Sequence, residues 1–124
     1  MRLNHDLVRE LLIAIGNSSD PVGLSQNESN KFIKDKNISV DEYAFMVTKL
    51  SEAGFITGRV EYGSNQPVRY AAGNLTYAGN EYLDNIEDAE TWSNVKAGAS
   101  KVGNVSLSIM SELAISYLKT KLGI

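Results

Sequence analysis

With 124 residues, 43% of them hydrophobic and 22% charged, the chain is long enough to bury a core without covalent staples. A formal charge of -3 argues against indiscriminate binding of nucleic acid, which needs clustered Lys and Arg to neutralise phosphates. The lack of cysteine excludes disulfides, thiol nucleophiles and zinc–thiolate sites, and a single histidine, His5, excludes a multi-histidine metal centre.

The start, MRLNHDLVRELLIAIGN, lacks a signal-peptide pattern, because Asp6, Arg9 and Glu10 interrupt its apolar run. No stretch approaches the roughly 18 uncharged apolar residues of a membrane span. A cytoplasmic protein of a bacterial host cell, with no membrane partner, is the expectation. Charge is unevenly distributed: residues 39–89 hold three basic and eight acidic groups, whereas residues 90–124 hold four basic and two acidic.

Leu7, Val8, Leu11, Leu12 and Ile15 recur at helical spacing and predict a first helix from Asn4 to Ile15, ended by Gly16-Asn17. Residues 17–23, NSSDPVG, read as a loop. Two reciprocal capping boxes follow, Ser25 with Glu28 and Ser39 with Glu42. They open a short helix to about Asp35 and a longer one to about Ala53, whose buried stripe is Tyr43, Met46, Val47 and Leu50. FITGRVEY and VRYAA then flank a five-residue linker, Gly63 to Pro67, as a β-hairpin. With that loop length Tyr62 opposes Val68, Val60 opposes Tyr70, and Glu61 opposes Arg69. Thr76 caps a fourth helix, and Gly79 lets it approach the hairpin closely. Asp88 caps a fifth, from Ala89 to Lys101. A last helix runs from Val105 to about Leu122.

Two short consecutive helices followed by a hairpin read as a winged helix-turn-helix. The fold class expected is therefore α+β, mainly α: three helices, a hairpin wing and a returning helix over residues 1–88. A two-helix extension over residues 89–124 completes the chain. The blocks MRLNHDLVRELL, LTYAGNEYLDNIEDAETW and KVGNVSLSIMSELAISYLKTKLGI resemble an uncharacterised family of small proteins common in prophages and bacteriophages. The resemblance implies a winged-helix-like fold and a phage setting, and brings no catalytic residue or cofactor. Where that family often carries a histidine this chain has Asn80, so no role resting on that histidine carries over.

Winged helices most often bind double-stranded DNA. The candidate contacts are Thr48, Lys49 and Ser51 on the third helix, Lys31, Lys34 and Lys36 on or just after the second, and Arg59, Asn65, Gln66 and Arg69 on the wing. Asp41 and Glu42 at the exposed start of the third helix oppose that reading. They support instead a protein-binding inhibitor or adaptor, a DNA mimic or a host-defence antagonist, docked on a basic partner. In the last helix Leu107, Met110, Leu113, Ala114, Tyr117, Leu118 and Leu122 make an apolar stripe suited to a homodimer contact. Asp84, Glu87, Asp88 and Glu90 read as solvated or capping groups rather than a metal or acid–base site. No base, orienting group and pocket occur together, and no Gly-rich phosphate loop is present. A non-enzymatic protein without metal, cofactor or small-molecule substrate is expected.

Overall fold

The computed structural model describes residues 1–124. It is mainly helical, with one two-stranded antiparallel sheet. The chain divides into two compact units, Met1–Asn80 and Glu81–Ile124. The division falls inside the fourth helix, ahead of the boundary after Asp88 suggested by the sequence.

The first unit opens with α1 (His5–Gly16), capped by Asn4, whose side-chain oxygen accepts from the Leu7 amide at 3.1 Å. The expected stripe of Leu7, Val8, Leu11, Leu12 and Ile15 is buried. Burying each such side chain contributes roughly 1.5–3 kcal/mol relative to leaving it in water. α2 (Gln26–Lys36) starts at the complete Ser25–Glu28 capping box, with both reciprocal bonds in place at 3.2 and 3.1 Å. The box expected at α3 (Val40–Glu52) is only half formed. The Glu42 amide donates to Ser39 Oγ at 3.0 Å, but the Glu42 carboxylate accepts from the Ser39 hydroxyl at 3.3 Å instead of from the Ser39 amide. A hydroxyl both donates and accepts, so it satisfies both groups itself. Between α2 and α3 the chain reverses through Asn37 in the left-handed conformation, φ 54°.

The hairpin corrects the sequence reading. β1 (Glu61–Gly63) and β2 (Gln66–Arg69) are joined by two residues, Ser64 and Asn65, both at positive φ of 53° and 65°. That is the type I′ geometry, which matches strand twist better than a five-residue loop. Gly63 therefore pairs with Gln66, and Tyr62 opposes Pro67 rather than Val68. A bulge then takes up Val68 as an extra residue, so that Glu61 faces Arg69 as expected. The expected Val60–Tyr70 pair lies outside the ladder.

Two further backbone contacts, unsuspected from the sequence, hold the segment after the hairpin. Leu24 bridges to Gly73, with paired bonds of 2.8 and 3.1 Å, and Ile56 bridges to Leu75. Gly23, at φ 81°, is required there: a Cβ would stand 1.9 Å from the Gly73 carbonyl oxygen. Thr76 caps α4 (Tyr77–Ile86) by accepting from the Gly79 amide at 3.1 Å, and its hydroxyl donates to the Gly54 carbonyl. A Cβ on Gly79 would stand 1.9 Å from the Phe55 carbonyl oxygen. The close approach is thus to the junction between α3 and the hairpin, not to the strands.

The second unit contains the rest of α4 with α5 (Ala89–Ser100) and α6 (Leu107–Leu122), and α5 packs on α6. Asp88 caps α5 through the Thr91 amide at 2.9 Å, which holds its carboxyl below the usual range. Ser106 caps α6 and Gly123, left-handed, ends it. No helix is long and apolar enough to cross a membrane.

Candidate functional site

The outer face of α3 and the hairpin are positioned by a buried polar knot. Ser29 is fully buried inside α2. Its Oγ accepts from the Tyr43 hydroxyl of α3 at 2.6 Å and from the Ala72 amide at 3.2 Å. One oxygen thus ties α2, α3 and the segment leaving the hairpin together. Burial pushes the Tyr43 hydroxyl up to about 12, against the opposing pull of the Ser29 hydrogen bond. Next to it, Gln26 accepts the Tyr70 amide and Asn30 accepts the Tyr70 hydroxyl, both at 2.7 Å. The Tyr43 and Tyr70 rings meet edge to face at 6.1 Å. Sequence reasoning missed Ser29, Gln26 and Asn30. The available signal was spacing: Gln26, Ser29 and Asn30 fall on one face of α2, with Phe32 following Ser29 by three residues.

On this frame the proposed DNA contacts stand in different surroundings. Lys49 is 3.1 Å from Glu52 and 5.7 Å from the centre of the Phe45 ring. Thr48 and Ser51 are half-buried. Lys36 reaches back to Glu10 of α1 at 3.5 Å, and Arg69 is 3.7 Å from Glu61. Lys31 borders a cleft with Ala14, Leu24, Phe32 and Asp35, on the α1 side of α2. Lys34 and Arg59 are exposed and unpaired, and Asn65 and Gln66 are exposed at the hairpin tip. Three of these cations, Lys36, Lys49 and Arg69, thus have a carboxylate partner within the chain. α3 itself carries Asp41, Glu42 and Glu52 against Lys49 alone.

Apolar surface stands close to that acidic helix. A cleft of about 100 Å³ lies between the start of the chain and α3, lined by Arg2, Leu3, Leu7, Glu42, Phe45 and Met46. On the hairpin, Tyr62 and Val68 are 63% and 53% exposed, so both offer unburied apolar area. The bulge takes Val68 out of the cross-strand pair with Tyr62 that the sequence suggested, and Pro67 stands opposite Tyr62 instead.

The residues proposed for dimerisation separate into two groups. Leu107, Met110 and Ala114 are buried within the chain. Leu113, Tyr117 and Leu118 are half-buried, and Leu122 is exposed. Of the seven, only Leu122 is exposed outright, at 71%.

The fold and face together define a small helical domain with a hairpin, an acidic third helix and uncovered apolar area beside it. Residues 2–106 match the family model described as "Hypothetical protein (DUF2513)", and the chain belongs to that family. The match ends at Ser106, so α6 lies beyond it. No curated protein and no solved structure matches the chain.

Proposed function

We propose that this protein is a non-enzymatic binding module of winged-helix type, from a phage or prophage setting, whose third helix and wing dock a basic protein surface. The observation that carries this reading is the charge of α3: three carboxylates and one lysine, with that lysine already held by Glu52. Such a face repels phosphates and attracts Lys and Arg. The cleft beside Glu42 offers half-buried Phe45 to an apolar anchor of the partner, and exposed Tyr62 of the wing adds an aromatic contact. An acidic helix presented where nucleic-acid binders carry cations suits a DNA mimic or host-defence antagonist.

The second reading is a DNA-binding regulator, favoured by unpaired Lys34 and Arg59 and by Asn65 and Gln66 at the wing tip. One titration separates the two. Duplex DNA of mixed sequence is added at about 50 and about 200 mM salt to the native chain and to Asp41→Lys/Glu42→Lys. The protein-binding reading expects no binding by the native chain and weak, salt-sensitive binding by the variant. Micromolar binding by the native chain, lost in Lys49→Glu/Arg59→Glu, would establish the regulator instead. Cross-linking in host lysate then identifies partners captured by the native chain and released by Asp41→Lys/Glu42→Lys.

A further inference from the structure

α6 carries an apolar seam that its own chain largely covers and a second, part-apolar seam that is more open. The first, Leu107, Met110, Ala114 and Tyr117, advances by three and four residues and is buried or half-buried. The second, Ser108, Ser111, Ile115, Leu118 and Leu122, advances in the same three-four rhythm one position further round. Ser108, Ile115 and Leu122 are exposed, Ile115 at 42% and Leu122 at 71%, with Ser111 and Leu118 half-buried. A seam repeating every 3.5 residues is the pattern that packs helix against helix, knobs into holes.

The charges flanking this second seam specify the occupant. If Ser108, Ile115 and Leu122 are the a positions, Ser111 and Leu118 are d, and Glu112 and Lys119 are both e. Both are exposed, and neither makes an ion pair within the chain. In an antiparallel two-helix seam, a packs against d′ and e meets e′. Setting Ile115 against Leu118 of a second copy places Ser111 against Leu122 and Glu112 against Lys119, each contact occurring twice by the two-fold axis. Small Ser111 opposite large Leu122 fills the outer layers. A parallel pair would not bring e to e′ and would leave these charges unmatched.

We propose that this face of α6 is an antiparallel self-association seam, whose partner is α6 of a second copy. The overlap from Ser111 to Leu122 is about 18 Å of helix, which predicts a weak dimer. The proposal stands apart from the target of α3, and its test contains neither nucleic acid nor a second protein.

Sedimentation equilibrium from about 1 to about 500 µM, with circular dichroism to confirm folding, reads the association directly. The native chain is expected to rise from 13.6 kDa towards twice that mass. Glu112→Lys and Lys119→Glu should each weaken association about tenfold or more, because each sets like charges face to face twice. An equimolar mixture of the two variants, and the double variant Glu112→Lys/Lys119→Glu, should recover it, since each restores opposite charges across the seam. A mass fixed at 13.6 kDa throughout, a dimer indifferent to the single reversals, or a mixture no better than its parts would each overturn the proposal.

Discussion

Ser29 shows how much one buried oxygen controls. Replacing it with Ala leaves the Tyr43 hydroxyl and the Ala72 amide buried without their acceptor, and should cost about 2–4 kcal/mol in urea unfolding. Tyr43→Phe removes a donor but leaves Ser29 still bonded to Ala72, so it should cost only about 1 kcal/mol. The same residue sets a pH dependence. Its hydroxyl titrates near 10 in the unfolded chain and near 12 in the folded one, so the folded state favours the protonated form. The corresponding stability, on the order of 2–3 kcal/mol, is complete below pH 10 and is lost as pH rises towards 12. Tyr43→Phe should therefore flatten the fall in unfolding free energy over that interval, measured by denaturant titration at several pH values. Tyr82, raised in the same direction by burial, retains its own contribution in the variant. Gly79→Ala should destabilise by about 3 kcal/mol, since the added methyl group meets the Phe55 backbone. A close approach at Gly79 is legible because a capping threonine three residues ahead of a glycine is a local pattern, although its partner is the Phe55 backbone and not the strands. Ser29 is not, because its partners are 14 and 43 residues away and a serine within a polar helix reads as solvated.

At the scale of elements, the helices were legible because caps and apolar periodicity are written in neighbouring residues. Asn4, Ser25, Ser39, Asp88 and Ser106 each accept an amide at a helix start. The hairpin was legible in place but not in register. Gly63 and Pro67 look like loop residues, yet both pair in the ladder, while the turn falls on Ser64 and Asn65. Ser64 holds a positive φ without glycine, a conformation that costs side-chain-bearing residues about 1 kcal/mol or more. Ser64→Asn with Asn65→Gly, the preferred pair for this turn, should raise stability by about 1 kcal/mol by thermal unfolding. A loss of stability would mean that the side chains at the tip make contacts the turn geometry does not require.

For the whole molecule, charge separates the functional readings more sharply than fold does. The helix–turn–hairpin order suggests a nucleic-acid partner, and the cations along it read as contacts by their positions in the sequence alone. In three dimensions Lys36, Lys49 and Arg69 each face a carboxylate, and Lys31 borders a cleft that Ala14 of α1 also lines. Pairings such as Lys36 with Glu10 join different helices, and helical periodicity does not encode them. The low isoelectric point, near 5.1, has its own consequence. With net repulsion removed, the exposed apolar groups of α6 and the hairpin should promote association near pH 5, seen as a maximum in light scattering that vanishes above pH 7.

The bulge at Val68 separates what the hairpin must preserve from what it is free to change. Everything below it is anchored: Glu61 faces Arg69, and Tyr70 is fixed to Gln26 and Asn30. Everything above it, from Tyr62 to Pro67, can lengthen or exchange residues while the bulge absorbs the slip in register. Substitution or lengthening at the tip should therefore leave the Tyr70 anchor intact, a tolerance that thermal unfolding of tip variants would measure.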